Sequence, residues 1–114
     1  MPLVAAKVDK PGIDIVDTKN GALAYLTGRI DMDSSPSVRD QLIALLNASH
    51  RRAVSIDLSG VSHIDSSGVA TLIEALKIAR NCKTELRLKA LPDRLHRLFE
   101  ATGILSLFNE GIEK

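Results

Sequence analysis

The feature that most constrains this chain is an abrupt change of hydrophobic period around the segment 65–68. Before it, Val54, Ile56 and Leu58 alternate with small or polar residues, the period of a strand with one face in a core. After it, apolar residues fall at positions 69, 72, 73 and 76, the spacing of an amphipathic helix. The intervening tetrapeptide Asp-Ser-Ser-Gly therefore predicts a strand-to-helix junction.

Similar signals predict a hairpin and a helix before this junction. Segments 13–17 and 22–28 flank an Asn-Gly pair, which is typical of a tight turn between antiparallel strands. Ser35 and Pro36 are typical of an N-cap and a first helical residue, so a helix is predicted over 36–49. The segment 61–64 either prolongs the central strand or turns.

A further strand and helix are predicted after the junction. Strict alternation over 84–91 indicates a strand with one solvated face near a sheet edge. A helical pattern opens on Pro92 and stops at Gly103, and the apolar run 104–108 closes the chain as a short segment. The order β-β-α-β-α-β-α predicts one α/β domain over residues 1–114, a small mixed sheet with helices packed against it.

Composition excludes several function classes. Fifteen basic and fourteen acidic residues leave no basic field for nucleic acid, and one Tyr without Trp leaves little for base stacking. Neither phosphate-binding glycine motif is present, and the three histidines and Cys82 are scattered, so no cofactor or metal is expected. No stretch is long and apolar enough to span a membrane, and the predicted location is cytoplasmic.

Two carboxylates before the first helix allow a catalytic interpretation. Asp31 and Asp33 match the D-x-D-x-[ST] pattern of phosphatases that use an aspartyl nucleophile and magnesium. That chemistry also needs further carboxylates and a lysine, in a domain usually larger than this one. A polar loop that ends in a helix cap is the favoured interpretation, and the chain is not expected to be an enzyme.

The junction at 65–68 leaves two interpretations open. Asp and Ser are favoured N-cap residues, and Gly68 would let the backbone turn tightly into the helix. One cap needs one such residue, however, and Asp65, Ser66 and Ser67 supply three. A phosphate on the spare hydroxyl would lie at the positive end of the helix and add roughly −1.5 to −2 units of charge, altering binding and not folding.

The segment 54–79 resembles the signature of STAS domains of the anti-sigma-factor antagonist type, a strand, a D-S-S-G turn and an amphipathic helix. The segments 26–31 and 92–108 resemble the flanking parts of the same family. The resemblance implies a mixed sheet of about four strands plus a short terminal one, with helices on one face. It also implies that Ser66, the first serine of the motif, is phosphorylated.

The resemblance further implies a regulatory cycle. The unphosphorylated protein would bind an anti-sigma factor with serine kinase activity, phosphorylation would end that binding, and a PP2C-type phosphatase would restore it. ATP and metal would belong to those partners. The implied interface comprises Arg29, Asp31, Asp33, Ser34, His63, Asp65, Ser67 and Gly68 beside Ser66.

Two departures from the family pattern affect the expected partner. The family often has an acidic residue where this chain has Arg29, and a large apolar residue where it has His63. Both lie beside the implied interface, where charge complementarity selects partners. A second reading of the resemblance is a STAS subunit that docks on the ATPase of an ABC transporter of the lipid-trafficking kind, without a serine switch.

Overall fold

The computed structural model describes residues 12–19, 21–48, 53–108 and 112–113. In chain order the elements are β1 (Gly12–Thr18), β2 (Gly21–Ile30), α1 (Ser35–Ala48), β3 (Ala53–Ile64), α2 (Ser66–Asn81), β4 (Glu85–Lys89), α3 (Asp93–Ala101), α4 (Ile104–Leu107) and β5 (Ile112–Glu113). The order predicted from the sequence is confirmed through α3.

The five strands form one mixed sheet in the order β1-β2-β3-β4-β5. β1 is antiparallel to β2, and every later neighbouring pair is parallel. Parallel neighbours require crossovers, which are right-handed. Because the three crossovers advance in one direction across the sheet, they place their helices on the same face. The predicted fold class, a small mixed sheet with helices on one face, is confirmed.

Alternation along the strands separates the two faces of the sheet. The residues that face the helices are buried, and they are Ala22, Ala24, Leu26, Val54, Ile56, Leu58, Leu86 and Leu88. Residues between them, such as Tyr25, Ser55 and Arg87, are half-buried or exposed. The core therefore lies between the sheet and the helices, and no described helix covers the other face.

The predicted hairpin is confirmed, and the second residue of the Asn-Gly pair belongs to β2 and not to the turn. Thr18 pairs with Gly21, so Gly21 is already the first residue of β2, and Asn20 lies outside the described residues. A Cβ on Gly21 would overlap the carbonyl oxygen of Ala53 in β3. Glycine is needed there because two strand backbones approach closely.

The predicted cap of α1 is wrong by one residue. Ser35 is the first helical residue, and the carbonyl oxygen of Ser34 accepts the first helical hydrogen bond from Val38 N at 3.1 Å. The Ser35 hydroxyl is buried without a hydrogen-bond partner among the described residues. The end predicted for this helix at residue 49 lies outside the described residues.

The buried stripe of α2 is turned from the one that hydrophobicity predicts. Val69 and Ile73 are only half-buried. The fully buried residues are mostly small, namely Gly68, Thr71, Leu72, Ala75, Leu76 and Ala79. Small side chains let a helix axis approach the sheet closely, and this need outweighs the preference for burying the largest apolar residues.

The C-terminal part differs from the prediction in one element. The apolar run after Gly103, expected only as a closing segment, forms the short helix α4, and Ile104 and Phe108 join the core. Gly103 has φ +82°, the left-handed conformation predicted for a helix-ending glycine. The short terminal strand is β5, which pairs with β4.

Candidate functional site

The carboxyl ends of β2 and β3 lie side by side at one edge of the sheet. Arg29 pairs with His63 and Ile30 with Ile64, and the amide of Asp65 donates to the carbonyl oxygen of Ile30 at 3.2 Å. The β2–α1 and β3–α2 connections therefore meet. We call residues 29–35 and 63–68 the junction edge, and it contains every residue of the predicted interface.

Asp65 is the residue that caps α2. Its backbone is extended, with φ −111° and ψ −170°, and its Oδ1 accepts from Ser67 N at 2.9 Å and Gly68 N at 3.2 Å. Its carbonyl oxygen accepts the first helical bond from Val69 N at 3.0 Å. These contacts satisfy amide groups that the first helical turn would leave without partners.

The hydroxyls of the two serines that follow are not part of this cap. Ser66 is the first helical residue and is exposed, while Ser67 is half-buried. Since the Asp65 carboxylate supplies the capping acceptor, neither hydroxyl is needed to begin the helix. In this geometry Ser66 is therefore not the capping residue, and its hydroxyl is the spare one.

Gly68 has a steric role and not the turning role that the sequence suggested. It lies inside the first turn of α2 and has no positive φ. A Cβ there would lie 2.5 Å from Ile64 Cγ1 and 2.9 Å from both Cγ2 and the carbonyl oxygen of Ile30. Glycine lets the start of α2 rest directly on the end of β2.

The β2–α1 loop is held by hydrogen bonds within itself and to the end of β2. The Ser34 hydroxyl donates to the carbonyl oxygen of Arg29 at 2.7 Å and accepts from Asp31 N at 3.0 Å. Asp31 Oδ1 accepts from Asp33 N at 3.0 Å and from Ser34 N at 3.2 Å. The loop is therefore a preorganised surface, although it has no regular secondary structure.

The carboxylate of Asp31 stabilises this loop by accepting its amide hydrogen bonds. The amide hydrogen bond from Ser34 lowers its pKa, and that from Asp33 and the guanidinium of Arg29, 3.6 Å away, act in the same direction. No group of three His, Cys, Asp or Glu side chains that could hold a metal occurs in the described part of the chain. The phosphatase interpretation, which needs Asp31 as nucleophile beside more acids, gains no support from this geometry.

Sequence analysis missed one prominent residue of the junction edge. Met32 lies between Asp31 and Asp33, and 74% of its surface is exposed, the largest value among the exposed large apolar residues of the described chain. Large apolar side chains held outward on ordered loops are typical contact residues. The signal was available as an apolar residue inside an otherwise polar loop.

A cleft of about 230 Å³ opens next to the junction edge, between the end of β3 and α3. Ile64, Leu95 and Leu98 give it an apolar lining, and His63 and Arg94 form its charged or polar rim. Arg94 is held in place by donating to the carbonyl oxygen of Ser62 at 2.6 Å. A partner side chain could therefore contact α3 as well as the two junctions.

The structure places the predicted interface residues in three classes of exposure. Arg29, Asp33, His63 and Ser66 are exposed, Asp31, Asp65 and Ser67 are half-buried, and Ser34 and Gly68 are buried. The exposed and half-buried residues can meet another molecule. Ser34 and Gly68 can contribute only by holding the backbone of the edge in position.

Other residues singled out from the sequence lie elsewhere. Cys82 is exposed at the end of α2, and His96 is half-buried on α3. His50 lies outside the described residues. Across the described segments, none of the helices is both long and apolar enough to cross a membrane.

Comparison with known proteins finds relatives of one family. The profile of the family described as "Mlab, STAS domain" matches residues 17–108. The anti-sigma-B factor antagonist of Bacillus subtilis is 30% identical over 97 residues, which cover 85% of this chain and 87% of that protein.

Two solved structures show the same fold. An anti-sigma factor antagonist from Mycobacterium paratuberculosis superposes with a TM-score of 0.78 at 23% identity, covering 88% of this chain and 84% of that one. The Bacillus cell fate determinant SpoIIAA in its phosphorylated form gives a TM-score of 0.70 at 14% identity, covering 90% and 89%. With the family profile spanning most of its length and these folds matching its own, the chain belongs to the STAS domain family.

Proposed function

We propose that this protein is an anti-sigma-factor antagonist whose binding is switched off by phosphorylation of Ser66. One observation carries the proposal: Asp65 caps α2 by itself and leaves Ser66 exposed at the first helical position. A kinase can reach such a hydroxyl, and a change there leaves the capping hydrogen bonds in place.

The known relatives support this function. The Bacillus subtilis protein described above is an anti-sigma-B factor antagonist, and a structural neighbour has been solved in a phosphorylated form. The partner we propose is an anti-sigma factor with serine kinase activity, with a PP2C-type phosphatase to reverse the modification. Both partners would act at the junction edge.

Charge explains how the modification would end binding. Asp31, Asp33 and Asp65 already place three carboxylates on the two neighbouring connections of the junction edge that also carries Ser66. A phosphate would add roughly −1.5 to −2 units of charge to a surface that a partner must desolvate. The positive end of α2 stabilises the phosphate within the folded chain, so the fold persists while docking weakens.

The test begins with the chain, ATP and magnesium, and an anti-sigma factor of the serine kinase type from the same genome. Intact mass with peptide mapping is expected to show one phosphate, on Ser66. Ser66→Ala should abolish the mass increase, whereas the matched variant Ser67→Ala should keep it. A phosphate on another residue, or none with an active kinase, would contradict the proposed switch.

Binding to the same kinase separates the switch from simple docking. Ser66→Ala should bind constitutively and Ser66→Asp weakly, and both should melt close to the wild-type temperature because an exposed residue outside the cap is changed. If both variants instead co-purify equally well with an ABC transporter ATPase, the function is constitutive docking on that ATPase. If the junction edge is the contact surface, substitution of Arg29 or Met32 should abolish binding of whichever partner the chain has.

A further inference from the structure

The cleft between β3 and α3 exists because β4 ends earlier than β3. β4 ends at Lys89, which pairs with Asp57, whereas β3 continues to Ile64. Beyond Asp57, the only strand that pairs with β3 in the described chain is β2. The cleft is lined by Ile64 together with Leu95 and Leu98 of α3. α3 therefore lies next to the part of β3 that β4 leaves unpaired.

Arg94 is held at the rim of this cleft by a bulge in β3. In the register of β2 and β3, Ser62 is an extra residue without a partner on β2. Its carbonyl oxygen accepts a hydrogen bond from Arg94 Nη2 at 2.6 Å. Among the described residues this is the one hydrogen bond that Arg94 makes, and a guanidinium carries further N–H donors. The exposed Arg94 can therefore bind another molecule with a side chain whose position is already held.

The size and lining of the cleft indicate what it can bind. Its volume of about 230 Å³ is below the roughly 300 Å³ at which small-molecule sites begin, so it fits one side chain and not a whole ligand. Ile64, Leu95 and Leu98 offer an aliphatic group apolar contacts. The described residues that line the cleft include no acidic residue, and Arg94 carries a positive charge at its rim.

The charges around the cleft differ in sign from those of the junction edge. The acidic residues of the junction edge are Asp31, Asp33 and Asp65. Arg29 offsets only one of them, by its ion pair with Asp31. Asp93, which precedes Arg94 on α3, is exposed, and within the described chain no carboxylate forms an ion pair with Arg94. A partner that covers both regions therefore needs a basic group opposite the junction edge and an acidic group opposite Arg94.

We propose that the cleft receives an aliphatic side chain of the anti-sigma factor and that Arg94 binds a carboxylate of the same segment, which makes Arg94 a determinant of partner specificity. This rests on the proposed function, because it takes that partner's docking on the junction edge as given. The two regions are continuous: His63 belongs to both, and Ile64 is two positions before Ser66. Guanidinium groups bind carboxylates through paired, charge-assisted hydrogen bonds, which supply both strength and orientation.

Isothermal titration of the full chain into an anti-sigma factor of the serine kinase type from the same genome tests the proposal, with ADP in place of ATP so that Ser66 stays unmodified. Arg94→Glu should weaken binding roughly tenfold, because the partner's carboxylate then meets a like charge. Arg94→Gln keeps an N–H donor for the carbonyl oxygen of Ser62 and should weaken binding roughly fivefold. Circular dichroism melting verifies that both variants fold, and Arg94→Gln decides the outcome if Arg94→Glu does not fold.

A control variant separates this contact from a general effect of charge. Lys77→Glu makes the same change of charge as Arg94→Glu at an exposed position on α2, about 16 Å along the helix axis from Ser66, and should bind like the wild type. One acidic residue of the partner, changed to Arg, should restore binding to Arg94→Glu, and the proposal fails if none does. Wild-type affinity in both Arg94 variants, or an equal loss in Lys77→Glu, would overturn it and leave the proposed function standing. A wild type that does not bind the anti-sigma factor would overturn both.

Discussion

Two strand-to-helix junctions lie next to each other in this molecule and use nearly the same residues, but only the second exposes its first serine. Each strand ends in Ile-Asp at a matched position of the sheet, and two serines follow. After Asp31, Met32 and Asp33 come before the two serines, and Ser34 and Ser35 are both buried. After Asp65 nothing intervenes, and Ser66 is exposed.

The comparison shows that the spacing between aspartate and serine decides which hydroxyl another protein can reach. Two inserted residues let the β2–α1 loop fold back, so that the Ser34 hydroxyl binds the carbonyl oxygen of Arg29. Without the insertion, Asp65 caps its helix at once and the next residue points to solvent. The four predictions below test this contrast, beginning with the largest expected effect.

The largest effect is expected where α2 rests on β2. Gly68→Val should lower the free energy of unfolding by about 3 kcal/mol, because its side chain would overlap Ile30 and Ile64. Urea denaturation measures the change. The matched control is Ser37→Val at the third position of α1, an exposed site where helix propensity changes and one exposed hydrogen bond from Gln41 Nε2 is lost, with a loss of a few tenths of a kcal/mol, about 0.5 at most.

Equal stability of these two variants would show that the third residue of α2 is not in contact with the sheet. A loss only in Gly68→Val would confirm that the β3–α2 junction is the tightly packed one. Both substitutions introduce valine at the third residue of a helix. The difference between their free energies of unfolding therefore reports packing against the sheet and not helix propensity.

The serines themselves give the next effect. Ser34→Ala should lower the free energy of unfolding by about 2 kcal/mol, because the carbonyl oxygen of Arg29 and the amide of Asp31 each lose a partner in a part-buried loop. Ser66→Ala removes the same hydroxyl from the other junction and should change stability by less than about 0.5 kcal/mol. Thermal and urea unfolding measure the loss of stability in both variants. Similar losses would contradict the expected difference between the two junctions.

The aspartate of the exposed junction gives a smaller effect. Asp65→Ala should lower the free energy of unfolding by about 1 kcal/mol, the usual value of an N-cap. Asp65→Asn keeps the Oδ1 acceptor and should recover most of that loss. If the asparagine variant were as unstable as the alanine variant, the carboxylate would act through its charge and not through the two capping hydrogen bonds.

The sequence was sufficient to predict the order of elements and to indicate a surplus of capping residues at 65–67, because both depend on local patterns. Period-two and helical spacing predicted the strands and helices, and the surplus of polar residues at 65–67 indicated a hydroxyl beyond the needs of the cap. The family resemblance then assigned that hydroxyl to Ser66. These signals do not need knowledge of what lies across the sheet.

The errors arose where a distant contact decides the outcome. Ser34 and Ser35 are equally good caps by composition, and the choice is made by a carbonyl oxygen of β2 that accepts from Ser34. The buried stripe of α2 follows the small residues because Gly68 and the alanines permit close packing on the sheet, which a hydrophobic pattern does not register. Met32 was missed because a single apolar residue in a loop has no periodicity.

The smallest effect is expected from the aspartate of the buried junction, and it depends on pH. Hydrogen bonds from the Ser34 and Asp33 amides, with Arg29 nearby, lower the pKa of Asp31 in the folded chain. A lowered pKa means that the ionised form favours folding, so this stabilisation is present above the unfolded-state pKa and is lost as pH falls through the folded-state pKa. Between about pH 5 and about pH 2 the wild type should therefore lose stability more steeply than Asp31→Asn, which keeps the Oδ1 acceptor without titrating. Melting temperatures across that range measure both slopes, and parallel curves would mean that the Asp31 carboxylate contributes nothing by its charge to the loop that buries Ser34.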